Sequence, residues 1–229
     1  MATILGILDH YSLKEIRDAL APWALSPVPG PKPSRGSSLL TRLLGVRFDT
    51  NLGTLTSFIA ASGNTAIVLR TWGLLDSGRY YGPKFHYSEY MQVRNALVGV
   101  GIHLALVFAG LALLFPPFRW LAMKFVYQPG QGASKESTKN DALEYRAIAT
   151  ADQDTQNPSR AIAKFGYNGD LSYLTGIFLA EAAMVILRDE DLVRRLGGGV
   201  LTPAMLGQPF IERLKKVGVA FEVGMLPNS

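Results

Sequence analysis

The chain contains no cysteine and only three histidines among its 229 residues. The absence of cysteine excludes a disulfide framework, a thiolate nucleophile and every zinc or iron–sulfur site that needs cysteine ligands. The three histidines, His10, His86 and His103, leave little for a histidine-rich metal centre. We therefore expect no metal site, and a cysteine-free sequence is compatible with an intracellular protein.

The motifs of common catalytic and nucleotide sites are also missing. The sequence has no G-x-S-x-G, no H-E-x-x-H and no phosphate loop. Gly99-Val100-Gly101 is followed by Leu104 where a dinucleotide-binding fingerprint needs its third glycine, and Gly130-Gln131-Gly132 leads into a loop rich in Lys and Ser. We therefore expect this chain alone to bind no cofactor, and we assign no catalytic residue.

The charge favours a membrane surface over a nucleic acid. The net charge is +5 and the isoelectric point is near 9.5. The Lys and Arg residues are spread along the chain without an aromatic-rich basic tract, so an anionic membrane surface explains the excess better than RNA or DNA does. The N-terminal residues 1–10 lack the basic region of a signal peptide, so we do not expect secretion.

One long apolar run stands out in the middle of the chain. His103 is the only ionisable residue among residues 96–115, a length that as a helix approaches the thickness of a bilayer core. Pro116-Pro117 interrupt the run, and apolar residues then continue to residue 127. This pattern predicts a kinked pair of helices that lies in one leaflet, with a buried hairpin or an oligomer interface as the alternative. We expect His103 to be hydrogen-bonded within the fold.

The remaining patterns predict an α+β fold with an antiparallel or mixed sheet, flanking helices and this long hydrophobic helical hairpin. A capping box at Ser12 predicts a connector helix within residues 1–25, and residues 26–45 form a linker rich in Pro, Gly and Ser. Residues 46–229 are predicted to form one domain with a hydrophobic insertion at 96–127. Asn64 is predicted to cap a helix that ends near Leu75.

Period-two alternation predicts the strands. Residues 84–91 have this pattern, and residues 144–150 and 161–167 predict an antiparallel hairpin. After Asn168-Gly169-Asp170, apolar residues recur every three or four positions as far as a break near Gly197. Thr202-Pro203 then predicts the start of a second amphipathic helix, with the Thr202 hydroxyl as its cap, and a strand follows at residues 219–223.

The order of several segments resembles the C-terminal part of saccharopine dehydrogenase-like oxidoreductases, including the trans-acting enoyl reductases. The resemblance extends from residue 10 onward. It includes residues 65–75, 80–91, 116–132 and 143–152, and the C-terminal series Gly169-Asp170, Tyr173, Thr175, residues 180–183 and residues 198–204. Members of that family begin with a Rossmann domain, and the resemblance implies that this chain corresponds to the part that follows it. It also implies association with membranes or lipid droplets.

Six residues are candidates for a cleft. Tyr173 and Thr175 place hydroxyls at a helix N-terminus, where matching positions of the family also have Tyr and Thr, although helix capping explains them as well. Glu181 is predicted to pair with Arg146 on the sheet if its side chain faces inward. Tyr81 belongs to an aromatic group that either lines a cleft or packs on a sheet, and Thr202 is the sixth candidate.

Three functions of different classes remain open. The first is a substrate or dimerisation domain of a saccharopine dehydrogenase-like oxidoreductase, which would use NAD(P)H only when a Rossmann partner supplies it. The second is a non-redox isomerase or cyclase acting on a hydrophobic small molecule. The third is a non-catalytic module that binds a membrane or a lipid droplet. We expect an intracellular, membrane- or droplet-associated protein that is a homo-oligomer or has a Rossmann-domain partner, and enzymatic activity stays open.

Overall fold

The computed structural model describes residues 10–31, 38–125 and 132–227. The chain divides into two compact units, Met1–Gly132 and Ala133–Ser229. The predicted single domain over residues 46–229 differs from this division, because the apolar helix that begins at residue 96 packs on a strand of the first unit. The division falls in the polar loop that follows those helices. Both units combine helices with an antiparallel sheet, so the predicted α+β class is confirmed.

The first unit opens with two short helices. Helix α1 (Leu13–Ala19) has the predicted capping box, in which the Ser12 hydroxyl accepts from the Glu15 amide and the Glu15 carboxylate accepts from the Ser12 amide. Helix α2 (Leu39–Leu44) begins at Ser38 and ends at Gly45 in the left-handed conformation. Part of the predicted linker at 26–45 is therefore helical, because Ser38 caps a run of leucines; residues 32–37 lie outside the described residues.

A small antiparallel sheet follows, with strands β1 (Arg47–Asp49), β2 (Gly53–Thr56) and β3 (Met91–Gln92) in that order. The strand predicted at 84–91 is wrong except for its last residue. Its side chains form local contacts instead: Tyr81 stacks on Phe85, and Tyr87 donates to Glu89. Alternation of apolar and polar residues is therefore not sufficient here, because no neighbouring strand of this sheet pairs with residues 84–90.

Helix α3 (Ala61–Leu74) connects β2 to that segment. The helix begins at Ala60, so the predicted Asn64 cap is wrong. Asn64 lies within the helix, and its amide donates to the Glu89 carboxylate at 3.0 Å, because a tertiary partner is available for that side chain. Trp72 is buried on this helix, donates from its indole to the Gly82 carbonyl and contacts the ring of Trp23 edge-on.

The apolar run forms helix α4 (Ala96–Ala112), which starts at an Asn95 cap, and helix α5 (Pro116–Met123). The axes of the two helices differ by 111° at the break. The break falls at the predicted diproline, where Pro116 and Pro117 occupy the first turn of α5 and fit a helix start better than a helix interior. The predicted kink between the two helices is therefore confirmed, and their position in one leaflet stays a prediction.

One buried hydroxyl connects α4 to the sheet. Thr56 is fully buried, and its single hydroxyl proton is shared between the Gly99 carbonyl at 2.7 Å and the Gly45 carbonyl at 3.2 Å. Gly99 is required there, since a Cβ at that position would lie 2.9 Å from the Val46 side chain and 3.4 Å from that of Thr56. The close approach of helix and strand thus needs both a glycine and a hydroxyl.

The second unit begins with the short helix α6 (Lys135–Thr138) and a sheet with strand order β4 (Ala142–Thr150), β5 (Arg160–Asn168) and β6 (Ala220–Leu226). The predicted hairpin is confirmed, with Tyr145 opposite Phe165 and Arg146 opposite Lys164. Phe165 is also opposite Phe221 of β6, so the aromatic residues share one face of the sheet.

Helix α7 (Leu171–Arg188) packs on that face, followed by α8 (Glu190–Leu196), a 3₁₀ helix (Pro203–Leu206) and α9 (Gly207–Lys216). The predicted single helix ending near Gly197 is interrupted at Asp189, whose carboxylate accepts from the Leu192 amide and starts α8. The core of the unit consists of apolar residues from α7, α8, the 3₁₀ helix, α9 and the residue before β6: Leu174, Val185, Leu192, Leu206, Phe210, Leu214 and Val219. The predicted amphipathic face of α9 is thus confirmed at Phe210 and Leu214.

We expect Thr56→Val to destabilise the first unit by about 1–2 kcal/mol, because the substitution keeps the shape but removes a buried hydrogen bond between the strand and α4. All three tryptophans, Trp23, Trp72 and Trp120, lie in this unit, so tryptophan fluorescence during denaturant unfolding measures it selectively. Thr54→Val, on the same strand at a less buried position, is the control. Equal midpoints for the two variants would contradict the role given to the Thr56 hydroxyl.

Candidate functional site

The bend between α4 and α5 exposes an extended apolar surface. Only Gly99 is buried among the residues of α4, and no residue of α5 is buried. Phe108 is 65% exposed, Phe115 62% and Phe125 84%. The other large apolar side chains exposed from the middle of α4 onward are Leu104, Val107, Leu111, Leu114, Phe118, Trp120, Leu121 and Met123. We call residues 104–125 the apolar bend. Contiguous apolar surface of this kind marks a site of contact with a membrane or another protein.

The first residues of α4 differ from the apolar bend because other residues of the first unit pack against them. The His103 ring shares a hydrogen bond with the Ser57 hydroxyl, with 2.8 Å between Nδ1 and Oγ. Gly45, at the end of α2, lies against the same ring, since a Cβ at that position would come within 2.0 Å of it. The expectation that His103 is hydrogen-bonded in the fold is confirmed. The helix is therefore held at Gly99 and His103, and the apolar bend begins directly after this attachment.

Two segments of the described chain are long and apolar enough for a membrane. Helix α7 passes this test alone, with 18 residues and a mean hydropathy of 1.5, and the bent pair of α4 and α5 passes it jointly. The two differ in their charges. Helix α7 has Glu181 near its middle, and Glu181 forms an ion pair with Arg213 of α9. A helix that packs one face on its own core and holds an ion pair at mid-length is typical of a globular unit, so we take the apolar bend as the membrane candidate.

The N-terminus of α7 contains two of the predicted cleft residues. Asp170 caps the helix by accepting from the amides of Ser172 and Tyr173 at 2.7 and 2.9 Å, and its other oxygen accepts from the Thr138 hydroxyl of α6. Tyr173 is 68% exposed. The Thr175 hydroxyl donates to the Leu171 carbonyl one turn earlier. The Asp170 carboxylate therefore already binds amides of the first turn of α7, so these amides have partners within the unit.

The predicted pairing of Glu181 with Arg146 is wrong. Glu181 faces inward, as expected, but its carboxylate accepts from the Arg213 Nε at 2.5 Å. Arg146 instead donates to Glu144, two residues away on the same strand and on the same face of the sheet. The sequence pattern could not select between two arginines, because the choice depends on α9 packing beside α7.

Thr202 and Tyr81 complete the predicted set. Thr202 is buried and precedes the 3₁₀ helix as predicted, but its hydroxyl does not cap that helix, so this part of the prediction is wrong. Tyr81 belongs to the first unit, where it contacts Tyr80 edge-on and stacks on Phe85. Burial, with a smaller contribution from Tyr80, raises the pKa of the Tyr81 hydroxyl. The six candidates are thus divided between two units; local contacts account for Thr175, Arg146 and Tyr81, and the ion pair with Arg213 accounts for Glu181.

Sequence patterns missed an open crevice between α7 and α9. It has a volume of about 540 Å³ and is lined by apolar residues and by charges of both signs: Met184, Val185, Arg188, Asp189, Glu190, Asp191, Pro209, Glu212, Arg213 and Lys216. Asp189 serves as the α8 cap, and Asp191 pairs with Arg194 at 3.5 Å. These contacts are those of a solvated ion-pair surface.

Comparison of the chain with protein-family models, with characterised proteins and with solved structures finds no match. Within the described residues, no group of three or more His, Cys, Asp or Glu side chains is arranged to hold a metal ion. Two features of the described residues therefore stand out as candidate sites: the apolar bend in the first unit and the layer formed by α7, α8 and α9 in the second.

The contacts of Asp170 with α6 and with the first turn of α7 predict that this part of the second unit is sensitive to acid. The Thr138 hydroxyl and then the Tyr173 amide stabilise the carboxylate and lower its pKa below the usual 3.8. A lowered folded-state pKa gives stability that is complete above the unfolded pKa and is lost as the pH falls through the folded one. We expect Asp170→Asn, which keeps a capping group, to be less stable at neutral pH and to have a flatter acid dependence.

Hydrogen exchange of peptides from α7, followed from neutral to acidic pH, measures this effect in the second unit. Asp191→Asn, at an exposed pair on α8, is the matched control and should retain the acid dependence of the unmodified chain. Parallel acid profiles for Asp170→Asn and the unmodified chain would contradict the prediction.

Proposed function

We propose that this chain is a membrane-associated domain that attaches to a single phospholipid leaflet through the apolar bend. The observation that supports this most directly is the exposure of Phe108, Phe115 and Phe125, which lie on or next to two helices that meet at 111°. Burying these side chains in acyl chains removes a large apolar area from water, at about 25 cal/mol per Å². Two helices that meet at this angle do not continue in one direction across a bilayer, so the bend suits insertion from one face of the membrane.

The attachment of α4 to the sheet limits the depth of insertion. Gly99 and His103 are held against β2 and the residues next to it, so the helix is free only beyond them. Residues 104–112 add roughly 13 Å of helix at about 1.5 Å per residue. One leaflet contributes about 15 Å of hydrocarbon, half of the bilayer core. The free length of α4 therefore does not exceed one leaflet, and the diproline turns the chain before it could cross a bilayer.

The second part of the proposal concerns the family. The segments that resemble saccharopine dehydrogenase-like oxidoreductases occur in both units and include the Asp170 cap with Tyr173 and Thr175 after it. On this basis we propose that the chain corresponds to the substrate or dimerisation part of such an enzyme. The predicted homo-oligomer or Rossmann-domain partner stays a prediction, as does NAD(P)H supplied by that partner. The alternative of an isomerase or a cyclase also stays a prediction.

We expect Phe108→Asp combined with Phe115→Asp to lower partitioning onto liposomes by about 100-fold or more, since each buried aromatic side chain contributes about 1.5–3 kcal/mol. Leu13→Asp combined with Ile59→Asp is a matched control, because those side chains are 63% and 64% exposed but lie outside the apolar bend. Flotation of purified protein with liposomes, with circular dichroism as a check on folding, measures the difference. Equal loss in both double variants, or no flotation of the unmodified chain, would contradict the proposal.

Oil droplets coated with a phospholipid monolayer test the single-leaflet geometry. A segment that needs only one leaflet binds such droplets as well as it binds bilayers, whereas a segment that must cross a bilayer does not. We expect the unmodified chain to bind both and the Phe108→Asp, Phe115→Asp variant to bind neither. Binding to bilayers alone would favour a spanning segment over the proposed geometry.

Cofactor titration tests the family part of the proposal. We expect the chain alone to show no saturable binding of NADPH or NADH by calorimetry, because its sequence has no G-x-G-x-x-G between a strand and a helix. Binding should arise only when a Rossmann-domain protein of the same family is added. Specific, saturable binding by the chain alone would contradict this view and would require a nucleotide site within these residues.

A further inference from the structure

We infer that the apolar bend selects membranes with anionic phospholipids, through Arg119 and Lys124 on the two sides of helix α5. This inference rests on the proposed membrane attachment and adds the chemistry of the lipid headgroup to it. It depends on three observations: the distribution of residues around α5, the sign of the surrounding charges, and the position of the Lys124 ammonium group.

Helix α5 has the residue distribution of a helix that lies in a membrane interface. At roughly 100° per residue, Phe118, Leu121 and Phe125 fall on one side of the helix and of the turn that follows it. These three side chains are 53%, 46% and 84% exposed. On the same wheel, Arg119 and Lys124 lie at the two edges of this apolar stripe. When the stripe is buried in acyl chains, both cations reach the level of the headgroups.

The charges of this part of the chain have one sign only. No acidic residue occurs between Glu89 and Glu136, and the ionisable residues of the interval, apart from a histidine and tyrosines, are Arg94, Arg119, Lys124 and Lys135. Arg94 and Lys124 are exposed, and Arg119 is partly exposed. A segment without carboxylates attracts anionic lipids and adds no repulsion of its own at close range. A headgroup with no net charge would gain little from this arrangement.

The Lys124 ammonium group is already held at the required level. Its Nζ lies 3.6 Å from the centroid of the Trp120 ring, one turn earlier on α5. Trp120 is 63% exposed. Tryptophan is enriched where a protein meets the boundary between acyl chains and headgroups, so the cation–π contact places a positive charge at that boundary. The contact also reduces the rotamer freedom that Lys124 would lose on binding a phosphate.

A phospholipid surface explains these features better than a soluble phosphate or a nucleic acid does. On the helical wheel the two cations lie at opposite edges of the apolar stripe, an arrangement that does not surround a single phosphate. They also flank an apolar stripe that neither ligand could cover. A leaflet presents many phosphates in a plane above acyl chains, which matches cations at both edges of a buried stripe.

Flotation with two kinds of vesicle tests the inference: phosphatidylcholine alone, and phosphatidylcholine mixed with phosphatidylserine. We expect tighter binding to the anionic vesicles, by about fivefold for each cation that reaches the surface. Arg119→Gln combined with Lys124→Gln should bind anionic vesicles as weakly as neutral ones. Raising the salt concentration should have the same effect on the unmodified chain, because screening acts on exposed charges. Phosphatidylglycerol should replace phosphatidylserine, because only the negative charge is shared.

The control variant is Lys215→Gln combined with Lys216→Gln, which removes two exposed cations from α9 of the second unit. It should keep the preference for anionic vesicles. Equal binding of the unmodified chain to neutral and anionic vesicles would overturn the inference and leave the membrane proposal intact. Equal loss of preference in the control would also overturn it, since total charge would then be the cause. Failure to bind any vesicle would overturn both.

Discussion

The hydroxyl of Thr56 is the contact on which the geometry of the first unit depends. It joins a strand, the end of α2 and the apolar helix α4 through two backbone carbonyls, at Gly45 and Gly99. A buried hydroxyl is stable only when such partners are present, and the absence of a Cβ at Gly99 lets the helix approach closely enough to supply one. This contact makes one end of α4 part of the globular unit and leaves the other end free of it.

The division of α4 into a held part and a free part explains why the apolar bend is a candidate for one leaflet. A helix that was free along its whole length would offer enough apolar residues to cross most of a bilayer. Held at Gly99 and His103, it offers about half of that length before the diproline turns it. The limit on the proposed depth of insertion thus follows from a single anchored helix.

In the second unit, local sequence patterns predicted some features correctly and others incorrectly. The start of α7 directly after Asp170, the β4–β5 hairpin and the amphipathic character of α9 agree with their predictions, because each depends on residues close together in the chain. The partner of Glu181 and the role of Thr202 were predicted incorrectly, since both depend on how the 3₁₀ helix and α9 pack against α7. The crevice between α7 and α9 was missed for the same reason.

The sequence by itself determined the α+β class, the capping box at Ser12, the kink at Pro116-Pro117 and the absence of acidic residues around the apolar bend. These features depend on local backbone preferences and on composition, which do not require knowledge of distant neighbours. Only the tertiary structure decided that Asn64 binds Glu89 and does not cap a helix, that residues 84–90 are not a strand, and that α4 is anchored at Gly99. Each of these depends on contacts between segments far apart in the chain, and packing between such segments overrides local propensity.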